Sequence, residues 1–293
     1  LMGADIDYES LEVRDEVAAW GKWCLDVTGV DGFRLDAVKH VSAWYFPQWL
    51  DEMESHAGKD LFVGVEYWTA DAGTLYWYLD RLGGRITVFA VPLHYHFHYA
   101  SRAGGNYDMR RLLDATLMQQ RSRDLVTFVE NHDSQPLQAL ESVVEPWFKP
   151  LAYAIILLRR EGYPCVFAAD YYGAEYEDVG RDGNRHPIVM PSHRWLIDRF
   201  LEARQRYGWG PQIDYLDHWN RVGWTRLGDG QHPKAMAVLL SDAHEGSKWM
   251  EVGRANARFT DLTEHVKEPV VTNDAGWGEF RCRGGSVSVW VQD

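Results

Sequence analysis

Between residues 10 and 206 the apolar positions follow two rhythms in turn. Residues 10–27 (SLEVRDEVAAWGKWCLDV) set Leu11, Val13, Val17, Trp20, Cys24 and Leu25 on a roughly helical face, with Ser10 placed to cap the helix. GVDGFRLDAVKHV is a short apolar run bounded by glycine, which predicts a buried strand. SAWYFPQWLDEMESH predicts a helix, LFVGVEYW a second strand ending in a charge, and ADAGTLYWYLDRLGG a helix closed by glycine. ITVFAVPL predicts a strand, YDMRRLLDATLMQQ a helix, DLVTFVENHD a strand, PWFKPLAYAIILLRREGY a helix and PCVFAADYYG a strand. RDGNRHPIVMP reads as a loop that leads into a helix near 192–206. Strand and helix therefore alternate, which predicts a parallel sheet with helices outside. Strands that are apolar throughout imply a sheet covered on both faces.

After Tyr207 the rhythm changes. DYLDHWN, VGWTRLG, KAMAVLLS, SKWMEVG, PVVT, GWGEFRC and SVSVWVQ are short segments separated by Gly, Asn and Asp, the pattern of a small antiparallel β domain. The expected division is an α/β domain over residues 1–206 and a β domain over 207–293.

Charge narrows the choice of partners. The net charge of −13 over 293 residues disfavours nucleic acid, whose phosphates call for clusters of Lys and Arg, and favours neutral or cationic partners and bound metal. No stretch approaches the roughly 18 uninterrupted apolar residues of a membrane span, and no signal peptide is visible. Three isolated cysteines (Cys24, Cys165, Cys282) form neither a disulfide framework nor a zinc spacing, and read as buried thiols of a reducing, cytoplasmic compartment. Fourteen Trp are unusual; indole rings pack cores and also stack on the apolar faces of sugars.

In parallel α/β folds the chemistry gathers at the carboxyl ends of the strands. The first strand ends Arg34-Leu35-Asp36, followed by Lys39-His40; the second ends Glu66-Tyr67-Trp68; the fourth ends Glu130-Asn131-His132-Asp133. Three strands thus deliver one carboxylate each to a common rim. Glycosidic cleavage with retention uses such a set: a nucleophile, and an acid that protonates the leaving oxygen, about 5–5.5 Å apart. Arg34, two residues before Asp36, points to the same side of its strand and would keep Asp36 ionised. A lone Asp at a strand end is ordinarily a turn residue; three such ends, each with polar company, point instead to an enzyme rim.

GFRLDAVKH, GVEYW and FVENHD resemble three signature regions of the α-amylase family of glycoside hydrolases. The likeness continues through VPLHYHFHYAS, GGNYDMRRLL, WFKPLAYA, GYPCVF, VGWTR, GWGEF and GGSVSVWVQ, which are similar to bacterial liquefying-type and cytoplasmic α-amylases. The resemblance implies Asp36 as nucleophile, Glu66 as general acid/base and Asp133 as transition-state stabiliser. It implies Arg34 as support for the nucleophile, Lys39, His40 and His132 as binders of sugar hydroxyls, and Trp68 on the leaving-group side. The implied substrate is a starch-like α-glucan or maltooligosaccharide. The implied fold is a partial (β/α)8 barrel, equivalent to strands four to eight, followed by an antiparallel Greek-key β domain. The alternative is a catalytically impaired remnant that binds glucan or forms oligomers.

The resemblance also implies what precedes the chain in its relatives: three β/α units and an inserted domain. A barrel lacking those units has open strand edges, so a homo-oligomer that covers them is expected. Two calcium sites are implied. One uses Asp5 and the His40 carbonyl, beside Asp7 and Glu9; the other uses the carbonyls of Gly105 and Tyr107 with Asp214 and Asp242. HYHFHY sets His94, His96 and His98 at alternate positions, a zinc-like spacing that the family likeness assigns to structural roles.

Overall fold

A computed structural model describes residues 6–293. The chain forms two compact units, one made of residues up to 92 together with 115–126, the other of 93–114 and 127–293.

In the first unit, helices α1 (Leu11–Thr28), α2 (Tyr45–Ala57) and α3 (Ala72–Arg81) alternate with strands β1 (Gly32–Leu35), β2 (Phe62–Val65) and β3 (Thr87–Phe89). The strands pair in parallel, Gly32 to Leu35 against Phe62 to Val65, then Gly64 and Val65 against Thr87 and Val88. The start of β4 (Leu125–Phe128) pairs with β3 in parallel. Gly32 has to be glycine, since a Cβ there would lie 1.9 Å from the Phe62 carbonyl oxygen. The core gathers Trp49, Leu50 and Met53 of α2, Leu75, Tyr78 and Leu79 of α3, and Val63, Val65 and Val88 of the strands. Asp71 caps α3 by accepting from the Gly73 and Thr74 N–H groups.

The α1 face differs from expectation. Ala18, Gly21 and Leu25 are the buried positions, while Leu11 and Trp20 stand 68% and 55% exposed, as do Trp23 and Val27 at 57% and 63%. Ser10 makes no side-chain cap bond. β1 is the end strand of the sheet, hydrogen-bonded on one side only among the described residues.

The second unit corrects several expected elements. VPLHYHFHYASRA is helix α4 (Val91–Ala103), not the tail of a strand. Its three histidines diverge to separate partners. The expected helix at 107–120 is instead a single turn at Met109–Arg111 followed by irregular chain, in which Ala115 and Leu117 take left-handed backbone angles no helix tolerates. α5 (Lys149–Leu158) is buried at every position but Pro150, as the apolar run that follows Pro150 demands. β5 (Tyr163–Cys165) adjoins β4 in the sheet and is shorter than expected, because α6 (Ala168–Tyr172) takes up the rest of that run. The expected loop at 181–191 supplies β7 (Arg185–Met190), which pairs antiparallel with β6 (Ala174–Val179). α7 (Arg194–Tyr207) packs beside α5.

Eight strands follow: β8 (Gln212–Tyr215), β9 (Arg221–Arg226), β10 (Met236–Ser241), β11 (Gly246–Glu251), β12 (Arg258–Asp261), β13 (Val270–Val271), β14 (Trp277–Cys282) and β15 (Ser286–Gln292). Six form an antiparallel sheet in the order β13-β12-β15-β10-β9-β8, and β11 pairs with β14. Phe259, Phe280, Trp290, Leu239 and Met250 fill the core between these strands. The architecture is the expected class: parallel β/α units of barrel type followed by antiparallel β structure.

Candidate active site

The first unit carries two of the three candidate carboxylates. Leu35 and Val65 are register partners, so Asp36 and Glu66 leave adjacent parallel strands at the same level. Three bonds tie the two strand ends together. The Glu66 N–H donates to the Leu35 carbonyl at 2.9 Å, the Val38 N–H to the Glu66 carbonyl at 3.1 Å, and the Ala37 N–H to Glu66 Oε2 at 2.9 Å. Ala37 reaches that oxygen because it takes a left-handed conformation, φ 48°, a cost the bond helps to offset. Glu66 is buried, and its Oε1 has no hydrogen-bond partner.

Asp36 is the opposite case. Its side chain is 72% exposed and receives Arg34 Nη2 on Oδ1 at 2.8 Å. Arg34 in turn lies over the Phe89 ring, 5.3 Å from its centroid. Lys39 reaches the Trp68 carbonyl at 3.5 Å, and Trp68 itself is buried. His40 lines a polar cleft of about 260 Å3 with Asp7, Tyr8, Glu9, Ser42 and Trp44. Asp5, expected in the first calcium site, lies outside the described residues.

Asp133 belongs to the second unit, on the loop that leaves β4. Asn131 organises that loop: its Oδ1 accepts from the N–H groups of Asp133 and Ser134, at 3.1 and 2.9 Å. The Asp133 carbonyl accepts from the Leu140 N–H at 3.0 Å. His132 Nε2 lies 3.4 Å from Asp133 Oδ2.

Two buried clamps hold this loop. His94 Nδ1 bonds the Val129 carbonyl at 2.7 Å, and its Nε2 bonds the Ser142 hydroxyl at 2.7 Å. A carbonyl only accepts, so Nδ1 carries the proton and Nε2 accepts from Ser142. Burial pushes the His94 pKa down to about 4 and keeps the ring neutral. The second clamp is Lys149, whose ammonium bonds both Glu130 and Asp170 in full burial. Asp170 also accepts from the Tyr153 hydroxyl at 2.7 Å. Burial pushes Glu130 up to about 7 against the pull of Lys149, and its Oε1 is left without a partner. Burial opposes the Lys149 charge too, but Asp170 and Glu130 outweigh it and raise its pKa.

The histidines of α4 do not converge on a metal: His96 bonds the Tyr107 hydroxyl and His98 the Val143 carbonyl. Among the described residues no three His, Cys, Asp or Glu side chains group to hold an ion. The second implied calcium site needs correction. Both oxygens of Asp214 accept from Arg159, at 2.9 Å each, so this carboxylate is already paired with a cation. Asp242 behaves differently. It is buried, and both carboxylate oxygens lack partners, as does the buried Oδ1 of Asn220, just before β9. The Asp242 N–H meets the Asn220 carbonyl at 3.3 Å. Gly105 approaches so closely that a Cβ would lie 3.0 Å from the Asp242 carbonyl. Burial, with the Asp108 charge nearby, pushes Asp242 up to about 7. Orphaned acceptor oxygens from Asp242 and Asn220, beside the backbone of Gly105, are hard donors that fit calcium. Asn220 is the ligand candidate that sequence reasoning missed.

No protein-family model matches the chain. It is 48% identical to an α-amylase of Geobacillus stearothermophilus over 99% of this chain and 52% of the relative. It is 47% identical to an α-amylase of Bacillus licheniformis, over 100% of this chain and 56% of the relative. It is 45% identical to the cytoplasmic α-amylase of Escherichia coli K12, over 99% and 59%. The chain thus spans about half the length of the curated relatives it matches. Among solved structures, an α-amylase of Geobacillus thermoleovorans complexed with acarbose superposes with a TM-score of 0.74 at 18% identity, covering 98% of this chain and 65% of that one. An Anoxybacillus α-amylase gives 0.71 at 19% identity, over 98% and 64%. Those two likenesses bear out the fold. Aligned with α-amylases from one end to the other, the chain belongs by sequence to the α-amylase family of glycoside hydrolases.

Proposed function

We propose that this chain supplies the reacting groups for retaining endo-hydrolysis of α-1,4-glucosidic bonds in starch-like glucans. One observation carries the reading: Asp36 and Glu66 leave adjacent parallel strands in register, tied by the Ala37–Glu66 bond. Parallel strands lie about 4.8 Å apart, close to the roughly 5–5.5 Å that a retaining pair needs. Asp36, ionised beside Arg34, attacks the anomeric carbon. Glu66 protonates the departing glycosidic oxygen as that bond breaks, then takes a proton from the water that releases the glycosyl ester. Asp133 stabilises the positive charge that develops on the sugar, with His132, Lys39 and His40 on hydroxyls. The cytoplasmic relative supports a reducing compartment.

Calcium fits the second unit as a structural ion held by Asp242 and Asn220 with the backbone of Gly105 and Tyr107; it would neutralise a buried carboxylate. A second reading, self-association, is supported by the exposed Trp20, Trp23 and Val27 of α1, by the open edge of β1, and by an apolar cleft of about 540 Å3 beside it, lined by Val30, Phe33, Phe62, Phe89 and Val126. Light scattering checks it: a monomer at every concentration rules it out.

The test of hydrolysis is release of reducing ends from a blocked maltooligosaccharide. Asp36→Asn is expected to lower the rate at least about a thousandfold, in line with loss of a catalytic nucleophile. Activity that survives the substitution would exclude this assignment.

A further inference from the structure

The run 181–191, expected as a loop, builds half of a hairpin whose inner face meets the chain that carries Asp133. β6 and β7 form a two-stranded sheet of their own, with Tyr176 paired to Ile188 and Asp178 to His186. Their side chains alternate between two faces. Tyr176, Asp178, His186 and Ile188 are half-buried on one, while Glu175, Glu177, Val179 and Val189 are exposed on the other. A two-stranded hairpin is marginal by itself, so its place is set by what it touches. Its base is anchored beside the buried clamp. The Ser192 hydroxyl donates to the Tyr171 carbonyl at 2.6 Å, and the His193 N–H to the Asp170 carbonyl at 2.8 Å. Asp170 is the residue that Lys149 joins to Glu130.

The inner face bonds the Asp133 loop at two points. The Tyr176 hydroxyl donates to the Pro136 carbonyl at 2.5 Å, and Gln138 Nε2 donates to Asp178 Oδ2 at 2.9 Å. Asp178 is itself fixed, because its Oδ1 accepts from the Val179 N–H at 2.7 Å. Between the two anchored residues Leu137 takes φ 65°, a left-handed conformation that a leucine keeps only where its surroundings impose it. From this tip the chain returns to the candidate carboxylate. The Leu140 N–H donates to the Asp133 carbonyl, and the Ser142 N–H to the Ser134 carbonyl, each at 3.0 Å. The placement of the tip is thereby passed to Asp133 through two backbone bonds.

We propose that the β6–β7 hairpin is a strap that positions Asp133, with Tyr176 and Asp178 as its positioning residues. They act through the loop, not on substrate. The hold forms a closed circuit. Lys149 ties Glu130, at the root of the loop, to Asp170 on α6; the hairpin that leaves α6 comes back to the tip of the same loop. With the strap cut, Leu137 is free to relax, the tip swings, and Asp133 loses its fixed direction. That Asp133 has a charge to stabilise rests on the hydrolase reading above; the hold of the strap on the loop does not.

Two measurements on the full-length chain test the strap: kcat and KM on a blocked maltooligosaccharide, and hydrogen exchange over residues 134–142 read by mass spectrometry. Tyr176→Phe combined with Asp178→Ala removes both bonds. It is expected to lower kcat about tenfold with KM within about twofold, and to speed exchange of the loop about tenfold, with the unfolding midpoint little changed. Putting Asp178→Asn in place of Asp178→Ala restores an acceptor for Gln138 and should recover most of both losses, which a general loosening of the fold would not. Val189→Thr, on the outer face of the same hairpin, should leave both readings as they are. If the double variant does not fold, Tyr176→Phe alone carries the test, with about threefold expected in each reading. Exchange unchanged with the bonds removed, kcat unchanged, or no recovery with Asp178→Asn would each overturn the proposal. Faster exchange on cutting the strap, in a chain that releases no reducing ends, would sustain the strap while excluding hydrolysis.

Discussion

Asp36 and Asp133 are the same residue type at the same kind of address, just past the end of a strand, yet their supports are opposites. Asp36 stands 72% exposed and leans on a single ion pair with Arg34, itself 39% exposed. Asp133 rides on a loop that is underpinned by buried ions and a buried neutral histidine. An exposed ion pair contributes little to stability, whereas breaking a buried one is severe. Under the proposed function both carboxylates need precise placement; in the second unit it is supplied by the layer beneath the loop. In the first unit it comes from the strand register and from the Ala37–Glu66 bond.

The largest way to break this contrast is to empty the buried clamp. Lys149→Met keeps the length of the side chain but leaves Glu130 and Asp170 facing each other without a cation. Chemical denaturation is expected to show a loss of about 3–5 kcal/mol. Adding Glu130→Gln should recover part of that loss, because one of the two stranded charges is gone. A loss below about 1 kcal/mol would mean that the clamp does not bear on the loop as described.

Asp242 gives the next effect, and its sign follows from linkage. Burial and the Asp108 charge raise its folded pKa from 3.8 to about 7. The folded state therefore binds more protons than the unfolded chain between those values. Stability is whole below about pH 4 for this group and is lost as the pH rises through about 7, by a few kcal/mol. Calcium, by pairing with the ionised form, should offset the loss at neutral pH. Thermal unfolding across this window, with calcium and with chelator, is the measurement. Asp242→Asn should flatten both the pH dependence and the calcium response; a variant that keeps both would remove Asp242 from the site.

Sequence reasoning reached the strand ends and stopped at what lies behind them. Arg34, Asp36, Glu66 and Asp133 were legible because short apolar runs that end in charge mark the rim of a parallel sheet. α4 was not, because alternating His and aromatic residues around Pro92 imitate the period of a strand; Leu93, Phe97 and Ala100, all buried, show the helical period only once the core is known. Lys149 looked like an ordinary charge at a helix start, and nothing in the sequence joins it to Glu130 and Asp170. Asp214 and Asp242 looked alike as calcium ligands. Only contacts distinguish them: Arg159 takes one, and the other is left with Asn220.

His94 offers a middle case. Its imidazole satisfies the Val129 carbonyl and the Ser142 hydroxyl in full burial. His94→Phe preserves the ring and its stacking on Phe128, 5.2 Å away, but leaves the Val129 carbonyl without the imidazole N–H, while the Ser142 hydroxyl keeps the Leu140 carbonyl at 2.9 Å. The expected cost is about 1–3 kcal/mol. Because the folded pKa of about 4 lies below the unfolded value of 6.5, the unfolded chain binds the extra proton, and the loss should grow as the pH rises from about 4 and level off above about 7. A loss that shrinks as the pH rises would overturn the neutral ring assigned above.

Arg34→Met is the smallest effect on stability and the one that sharpens the comparison most. The pair with Asp36 is solvent-exposed on both sides, so its removal is expected to cost at most about 1 kcal/mol in denaturation, less still in high salt. Methionine keeps an apolar stem over Phe89, which retains part of the packing that the guanidinium had there. The rate should respond out of proportion. Asp36 has no other hydrogen-bond donor at its carboxylate among the described residues, so without Arg34 its direction toward a substrate is set by rotamer preference alone. Glycoside hydrolysis is expected to fall at least about tenfold in kcat, with KM changed far less, because an orienting contact to the nucleophile counts in the transition state more than in binding. Lys149→Met should do the reverse, losing stability first. If instead Arg34→Met unfolds the first unit, the exposed pair is a structural strut, and the division between a stiff Asp133 loop and a lightly held Asp36 falls.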